Sequence, residues 1–369
     1  MIKTPSVSDA PRDSIDSCGE KHLGSVGLAT RETMKRLLLL IWMLLGVSCG
    51  ATPQPTPISI PLASTPRAVI VDTDMAPDDM LALLYLLARP DVNLRAITIS
   101  GTGITRCAAG IKNARAILEA MERATIPVAC GRETPLQGNH AFPNAWRDAM
   151  ENFSSLESSN TNVPNENAVD LITRVVEASN APVTILTLGP LTNLADAFAQ
   201  NPSLTRKIEM VYSMGGAVNV AGNVSNHNAA EWNFYIDPLA AQQVLASDAP
   251  LTLVPLDATN RVPVTRAFLE KLNTQQTTRA AQLAKKFLDT QRGEIENGAY
   301  YFWDPLAAVI VTNDAVATFE TQKIAVATND ADSGRVALTE DGAVVRVAVD
   351  ADPARFEATF LQTLNGQFK

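Results

Sequence analysis

Four carboxylates crowd into eight residues. They are Asp72, Asp74, Asp78 and Asp79, in the stretch Val69-Ile-Val-Asp72-Thr-Asp74-Met-Ala-Pro-Asp78-Asp79-Met-Leu-Ala-Leu-Leu. Like charges so close repel one another unless a cation or a proton holds them. No Lys or Arg lies between Arg67 and Arg89, so no neighbour in sequence offers that charge. Hard oxygen donors grouped in this way suit Ca²⁺ or Mg²⁺ better than zinc. With three His and four Cys in the whole chain, a His- or Cys-based zinc site has little support. A solvated loop with an N-capping Asp is the bland alternative. Against it, Asp72 and Asp74 directly follow an apolar, β-branched run that reads as a buried strand.

The elements around the acids give them a place. Met80 to Ala88 reads as a helix closed before Pro90. The acids therefore sit in a strand-to-helix turn, where open α/β sheets bind ligands. From Arg67 onward, strands read at 67–72, 94–100, 126–130, 183–188, 208–213 and 251–256. Helices read at 79–88, 107–123, 166–179, 191–200, 237–247, 265–290 and 304–313. Short strands with turns read over 320–349, and Asp352-Pro353 opens a last helix. This alternation predicts an α/β fold: a single domain with a mainly parallel sheet and helices on both faces. Residues 132–165 lack periodicity, and a loop of that length is often a lid or insertion. No internal repeat and no second core follow residue 67. No Gly-x-Gly-x-x-Gly opens a helix and no Walker sequence occurs, so dinucleotide and NTP binding lack their usual signal. The net charge of −9 and the lack of a basic stripe argue against a nucleic-acid partner.

The N-terminal part reads differently. Residues 1–33 are polar and aperiodic, predict no folded structure, and read as an over-called start. Met34-Lys35-Arg36, an eleven-residue apolar run Leu37–Val47 and Ser48-Cys49 read as a signal peptide, 34–49, too short to span a membrane. Ser48-Cys49 resembles the lipobox of bacterial lipoproteins, which implies a lipidated Cys49. The expectation is a protein of the cell envelope, anchored by that lipid alone and facing outside the cytoplasm; a plain secretory signal is the alternative. Residues 50–66 alternate Pro with small and hydroxyl residues, as an extended tether does. The catalytic domain is then 67–369. Cys107 and Cys130 remain, and an oxidising compartment permits a bridge between them.

Beyond residue 67, the opening motif resembles that of the nucleoside hydrolase family, Asp-x-Asp-Pro-Gly-x-Asp-Asp. Three further blocks agree in order. Thr187-Leu188-Gly-Pro-Leu-Thr-Asn-Leu-Ala195 is similar to the loop after the family's fourth strand. Ser213-Met214-Gly-Gly216, Gly222-Asn223 and Ala230-Glu231-Trp232-Asn233-Phe-Tyr-Ile-Asp-Pro238 are similar to its ribose block. Tyr301-Phe302-Trp303-Asp304-Pro305 is similar to its last metal block. The chain departs in four places: Met75-Ala76 stands for Pro-Gly, Gly101-Thr102-Gly103 for Gly-Asn, Trp303 for a His, and His140–Arg147 for a His-Gly segment.

The resemblance implies an N-glycosyl hydrolase that cleaves ribonucleosides with a water activated by Ca²⁺. It implies Asp74, Asp79, Asp304 and the Leu188 carbonyl as metal ligands, with Asp74 also the base. Asp78 and Asn233 would bind the ribose hydroxyls, Asn223 and Glu231 the 5′-hydroxyl, and Met214 would pack by the sugar. Asp72 would orient the cluster from behind. Trp303 implies a purine preference, because an indole face stacks on a purine and stabilises its protonated form; Trp146 would cover the other face. A role for His227 has little support. Small ribonucleosides are the expected partners, and a homo-oligomer is left open. Two rival readings are a nucleoside-binding lipoprotein without turnover and a Mg²⁺-dependent phosphatase. The intact acids disfavour the first, and Ala76 with the Asp78-Asp79 pair disfavours the second.

Overall fold

The computed structural model describes residues 65–368 except 152, 159–164, 225–228 and 330. The expected over-called start, signal peptide and nearly all of the tether lie outside the described residues, as does His227. Among the described residues, no helix is long and apolar enough to cross a membrane.

Nine strands form one sheet in the order β3-β2-β1-β4-β5-β6-β9-β7-β8. In chain order they are β1 (Arg67–Thr73), β2 (Val92–Ile99), β3 (Val128–Cys130), β4 (Val183–Thr187), β5 (Ile208–Met214), β6 (Leu251–Val254), β7 (Ala317–Val326), β8 (Val336–Leu338) and β9 (Ala343–Ala351). The pairs from β3 through to β9 are parallel; only β7 runs antiparallel, to β9 and β8. The chain steps outward from β1 to β3 and then returns to lay β4 on the other side of β1. The order reverses between β1 and β4, so a crevice opens there at the carboxyl ends of the strands.

Apolar surface closes both faces. One core contains Val69, Val71 and the helix Pro77–Ala88; the other contains Ile70, Ile185, Val211 and the helices Ala168–Ala178 and Pro238–Leu245. The helix Pro77–Ala88 is buried from Pro77 to Leu87, wedged between the sheet and the helices Trp303–Thr312, Arg279–Thr290 and Pro353–Leu364. It is apolar on every side because every side is covered. Truncating Leu84 to Ala in such a place costs about 2–5 kcal/mol.

The elements read from sequence are present, with ends shifted by about three residues or fewer where they match. Three readings are corrected. The helix expected over 265–290 is two, Arg266–Thr274 and Arg279–Thr290. The break is held by side chains: Thr277 donates its N–H (3.1 Å) and hydroxyl (2.9 Å) to Asn365 Oδ1, and Thr278 caps the second helix at Ala281 N–H (3.2 Å). The strand expected over 251–256 stops at Val254, and Pro255 leads into the short helix Leu256–Thr259. The aperiodic stretch 132–165 contains the helix Asn144–Met150. That helix is fixed by ion pairs from Arg106 to Asp148 (2.8 Å) and Glu151 (2.6 Å), not by an apolar face, so periodicity could not show it.

Cys107 and Cys130 form a disulfide, with Cα atoms 5.6 Å apart. It ties the first residue of the helix Cys107–Ala120 to the last residue of β3, a three-residue strand at the sheet edge. Closing a loop of that length restricts the unfolded chain by about 3 kcal/mol. Replacing both cysteines by Ser is expected to lower the Tm by roughly 5 °C, and calorimetry of the oxidised protein against the double variant measures it. An unchanged Tm would show that the bridge adds nothing to the fold.

Candidate active site

The turn after β1 is built by its own side chains. Met75 takes a left-handed conformation (φ 58°), a region that favours glycine, and its side chain is fully buried. Thr73 Oγ1 accepts the Met75 N–H (3.0 Å) and donates to Asp79 Oδ1. Asp79 also accepts the N–H groups of Asp74 (3.2 Å) and Ala76 (3.0 Å), so its side chain reaches back to the N-cap amide at the start of the helix Pro77–Ala88. Asp72 faces away from the cavity. Its Oδ1 accepts from Thr98 (2.6 Å) and Asn193 (2.7 Å), which locks β1 to β2 and to the helix Thr192–Gln200.

The loop after β2 lies against Asp74. The Asp74 carboxylate accepts the Ile104 N–H (3.0 Å), and Thr105 donates its N–H (3.2 Å) and hydroxyl (2.6 Å) to the Asp74 carbonyl. A Cβ at Gly103 would fall inside the Asp74 side chain. That close approach explains a glycine there.

Six further segments complete a cavity of about 340 Å³, a common size for a small-molecule site. Ten residues assigned metal or substrate contacts from sequence line it: Asp74, Asp78, Asp79, Leu188, Met214, Asn223, Glu231, Asn233, Trp303 and Asp304; Trp146 does too, and Asp72 does not. Asn233 Nδ2 donates to the carbonyls of Leu188 (3.0 Å) and Met214 (3.2 Å), tying together the ends of β4 and β5. Glu231 accepts the N–H groups of Asn233 (2.9 Å), Gly216 (2.8 Å) and Phe234 (3.3 Å), and so caps the short helix Trp232–Ile236. Asn223 accepts the Trp232 N–H (3.1 Å). Trp303 starts the helix Trp303–Thr312 and meets Tyr300 edge-on at 5.4 Å.

Sequence reading did not single out Ile104, Phe142 and Trp232, which also line the cavity. Phe142 stacks on Trp232 (4.8 Å, 21°), and Trp146 tilts against Trp232 at 5.4 Å. His140 lies flat on Tyr235 (4.2 Å) and hydrogen-bonds its carbonyl (2.7 Å). The aperiodic segment after β3 is thereby stitched over the Glu231–Ile236 block. A signal existed for Trp232, which stands between Glu231 and Asn233; none existed for Ile104.

Carboxylate oxygens of Asp78, Asp79 and Asp304 come within 4.8 Å of one another, all buried. The set that the resemblance implies shares Asp79 and Asp304 with this group. Asp74 stands beside it, its carboxylate engaged by the Ile104 N–H. Among the described residues, no Lys or Arg lines the cavity. Burial, joined by the neighbouring Asp74 charge, holds Asp79 well above the usual carboxylate range. Burial and the charges of Asp79 and Asp78 do the same to Asp304. Burial pushes Asp78 up to about 7 and Glu231 to about 7. Asp74 rises only to about 6, because the Ile104 N–H and other donors offset its burial. An all-oxygen, anionic, basic-residue-free cradle fits a hard divalent cation.

A family model described as inosine-uridine preferring nucleoside hydrolase matches residues 69–358. The pyrimidine-specific ribonucleoside hydrolase RihA of Shewanella sp. (strain MR-7) is 35% identical over 207 residues, 56% of this chain and 64% of that relative. The match thus spans less than two thirds of that relative's length. The crystal structure of an inosine-uridine preferring nucleoside hydrolase from Bacillus anthracis shares the fold with a TM-score of 0.72 and 26% identity, over 81% of this chain and 99% of that one. A purine-preferring ribonucleoside hydrolase from Gardnerella vaginalis gives 0.69 and 25%, over 82% and 99%.

The raised carboxylates set a pH dependence. Without a divalent cation the folded chain keeps protons that the unfolded chain releases above about pH 4, so its stability falls as pH rises toward about 7. A cation displaces those protons and is favoured by the same rise. The Tm gained on adding CaCl₂ is therefore expected to be larger near pH 8 than near pH 5, as thermal unfolding at the two values would show. An equal gain at both would mean that the acids are already ionised without the metal.

Proposed function

The chain belongs to the inosine-uridine preferring nucleoside hydrolase family, and from that premise we propose that it hydrolyses the N-glycosidic bond of ribonucleosides, with Ca²⁺ as its metal and purine nucleosides favoured. The observation that carries this reading is the convergence of the ten residues, from the ends of β1, β4 and β5 and from the starts of the helices Trp232–Ile236 and Trp303–Thr312, on one cavity.

Asp79 and Asp304 would hold the cation, with Asp74 and the Leu188 carbonyl as further ligands and Asp78 beside them. When bound, it supplies positive charge to the acid cluster and makes a water at the site more acidic. Asp74, ordinarily ionised near pH 7 with a pKa of about 6, accepts the proton of the attacking water. Asp78, Asn233, Asn223 and Glu231 orient the ribose hydroxyls, and Met214 packs by the sugar. The leaving base must accept the electrons of the breaking bond. The residue immediately before Asp304 is Trp303, not a His, and its indole has no acidic proton to give. Its face stacks on the base and stabilises a protonated purine. Phe142, Trp146 and Trp232 add aromatic surface, which suits a flat base and helps exclude water. Relatives of both base preferences resemble the chain, so the purine reading rests on Trp303 alone.

The expected outcome is turnover of inosine that is lost on exhaustive chelation and falls about a hundredfold or more in Asp74→Ala. Trp303→Ala should slow inosine far more than a nitrophenyl riboside, whose leaving group departs unaided. Full activity after chelation would remove the metal from the reaction. Equal losses on both substrates, or a wild-type preference for uridine, would remove Trp303 as activator.

We propose also that the protein is a lipid-anchored envelope protein. The Cys107–Cys130 disulfide supports this, because such bonds persist in oxidising compartments. Cys49→Ala is expected to release the protein from membranes or to block its processing. A soluble wild-type product that retains residues upstream of Met34 would overturn it.

A further inference from the structure

A second cavity, of about 470 Å³, opens at the other end of the strands. Arg89, Arg95, Arg123 and Arg174 line it, over an apolar wall that includes Leu87 and Leu94. Among the described residues no acidic side chain lines it, in a chain whose net charge is −9. Arg89 is 3% exposed. Its Nε donates to Asp91 (2.7 Å), and its Nη2 donates to the same carboxylate, but Nη1 has no hydrogen-bond partner among the described residues. The same guanidinium lies over the rings of Tyr85 (5.8 Å) and Phe368 (5.6 Å), so it places fixed positive charge behind the cavity and leaves the direct contacts to the exposed arginines. Arg174 is shared with Glu166 (2.7 Å). Arg95 and Arg123 are exposed, and neither is in an ion pair among the described residues.

Guanidinium groups near the carbonyl end of a helix stabilise it without any ligand. That accounts for Arg89 at the end of the helix Pro77–Ala88 and for Arg123 just past Cys107–Ala120. It does not account for Arg95, which stands in β2. Nor does it account for a cavity bounded by four such groups with no lining acid.

We propose that this cavity binds a phosphate-type anion. Guanidinium groups present paired donors that match phosphate oxygens, and the apolar wall lowers the dielectric around the pair. The anion has two sources, a free phosphate or the headgroup of an anionic lipid. The headgroup is within reach of the fold: Arg67, the first residue of β1, pairs with Val92, which lines the cavity. The segment that leads back to Cys49 therefore joins the domain beside it, and the acid cavity opens at the far end of the strands.

The test uses the full chain carrying Cys49→Ala, with chelator present, so that neither a lipid anchor nor a metal phosphate contributes. Equilibrium dialysis with inorganic phosphate is expected to give one site per chain. The double variant Arg95→Glu/Arg123→Glu is expected to weaken it at least tenfold, with the Tm as the check on folding. In parallel, the protein should sediment with phosphatidylglycerol vesicles and not with phosphatidylcholine vesicles, and the double variant should lose this. Binding in the first arm alone identifies a free phosphate, and in the second alone a lipid headgroup; either one, lost in the variant, supports the site. No binding in either arm, or binding that the double variant keeps, would overturn it. Nucleoside turnover is not read, so the outcome stands apart from the hydrolase reading.

Discussion

Keeping a cluster of carboxylates out of water, with no Lys or Arg lining their cavity among the described residues and Arg147 acting on Asp74 from outside it, is the constraint on which this structure turns. Asp74, Asp78, Asp79, Asp304 and Glu231 are each no more than 9% exposed and line one cavity. An isolated buried carboxylate is so costly that it normally takes a proton or a counter-ion. Here the backbone shares that task. N–H groups of Ala76, Ile104, Gly216, Asn233 and Phe234 point at carboxylate oxygens. These are turn and helix-start amides, which would otherwise lack partners. The crevice between β1 and β4 is where the fold places such amides, so topology and electrostatics point to the same spot.

The scaffold behind the acids is correspondingly stiff. The helix that carries Asp78 and Asp79 in its first turn is buried along its length, so these carboxylates cannot shift without disturbing the core. Asp72 braces two strands and a helix from behind, and Asn233 joins the ends of β4 and β5. The mouth is built differently, from aromatic contacts among Phe142, Trp146 and Trp232 and from ion pairs of Arg106. Rigid acids under a rim of ring contacts and surface ion pairs suit a site that must hold charge fixed and still admit a flat molecule.

Much of the site was legible because its residues come in short blocks. Asp72 to Asp79, Glu231 to Asn233 and Trp303-Asp304 each carry type and spacing together, and each block ends a strand or opens a helix. The sheet was legible for a similar reason: parallel strands buried on both faces read as continuous apolar runs. What stayed hidden depends on contacts between distant segments. The Cys107–Cys130 pairing rests on a Cα separation that no sequence states. The break at Gln275–Thr278 depends on Asn365, far along the chain, and the helix Asn144–Met150 on Arg106. That Asp78 faces Asp79 and Asp304 while Asp74 turns to Ile104 follows from how a loop from β2 packs, which the spacing of four acids does not specify.

The two ends of the sheet have a consequence for assembly. It begins with β3 and finishes with β8, each three residues long. Each covers only part of its neighbour: β8 pairs with Ile324–Val326 alone, so the outer edge of β7 over residues 317–322 has no strand beside it among the described residues. An uncovered strand edge is a template for another strand, and this stretch, not the three-residue margins, is where a second chain can add to the sheet. The disulfide fastens the opposite margin, β3, to a helix.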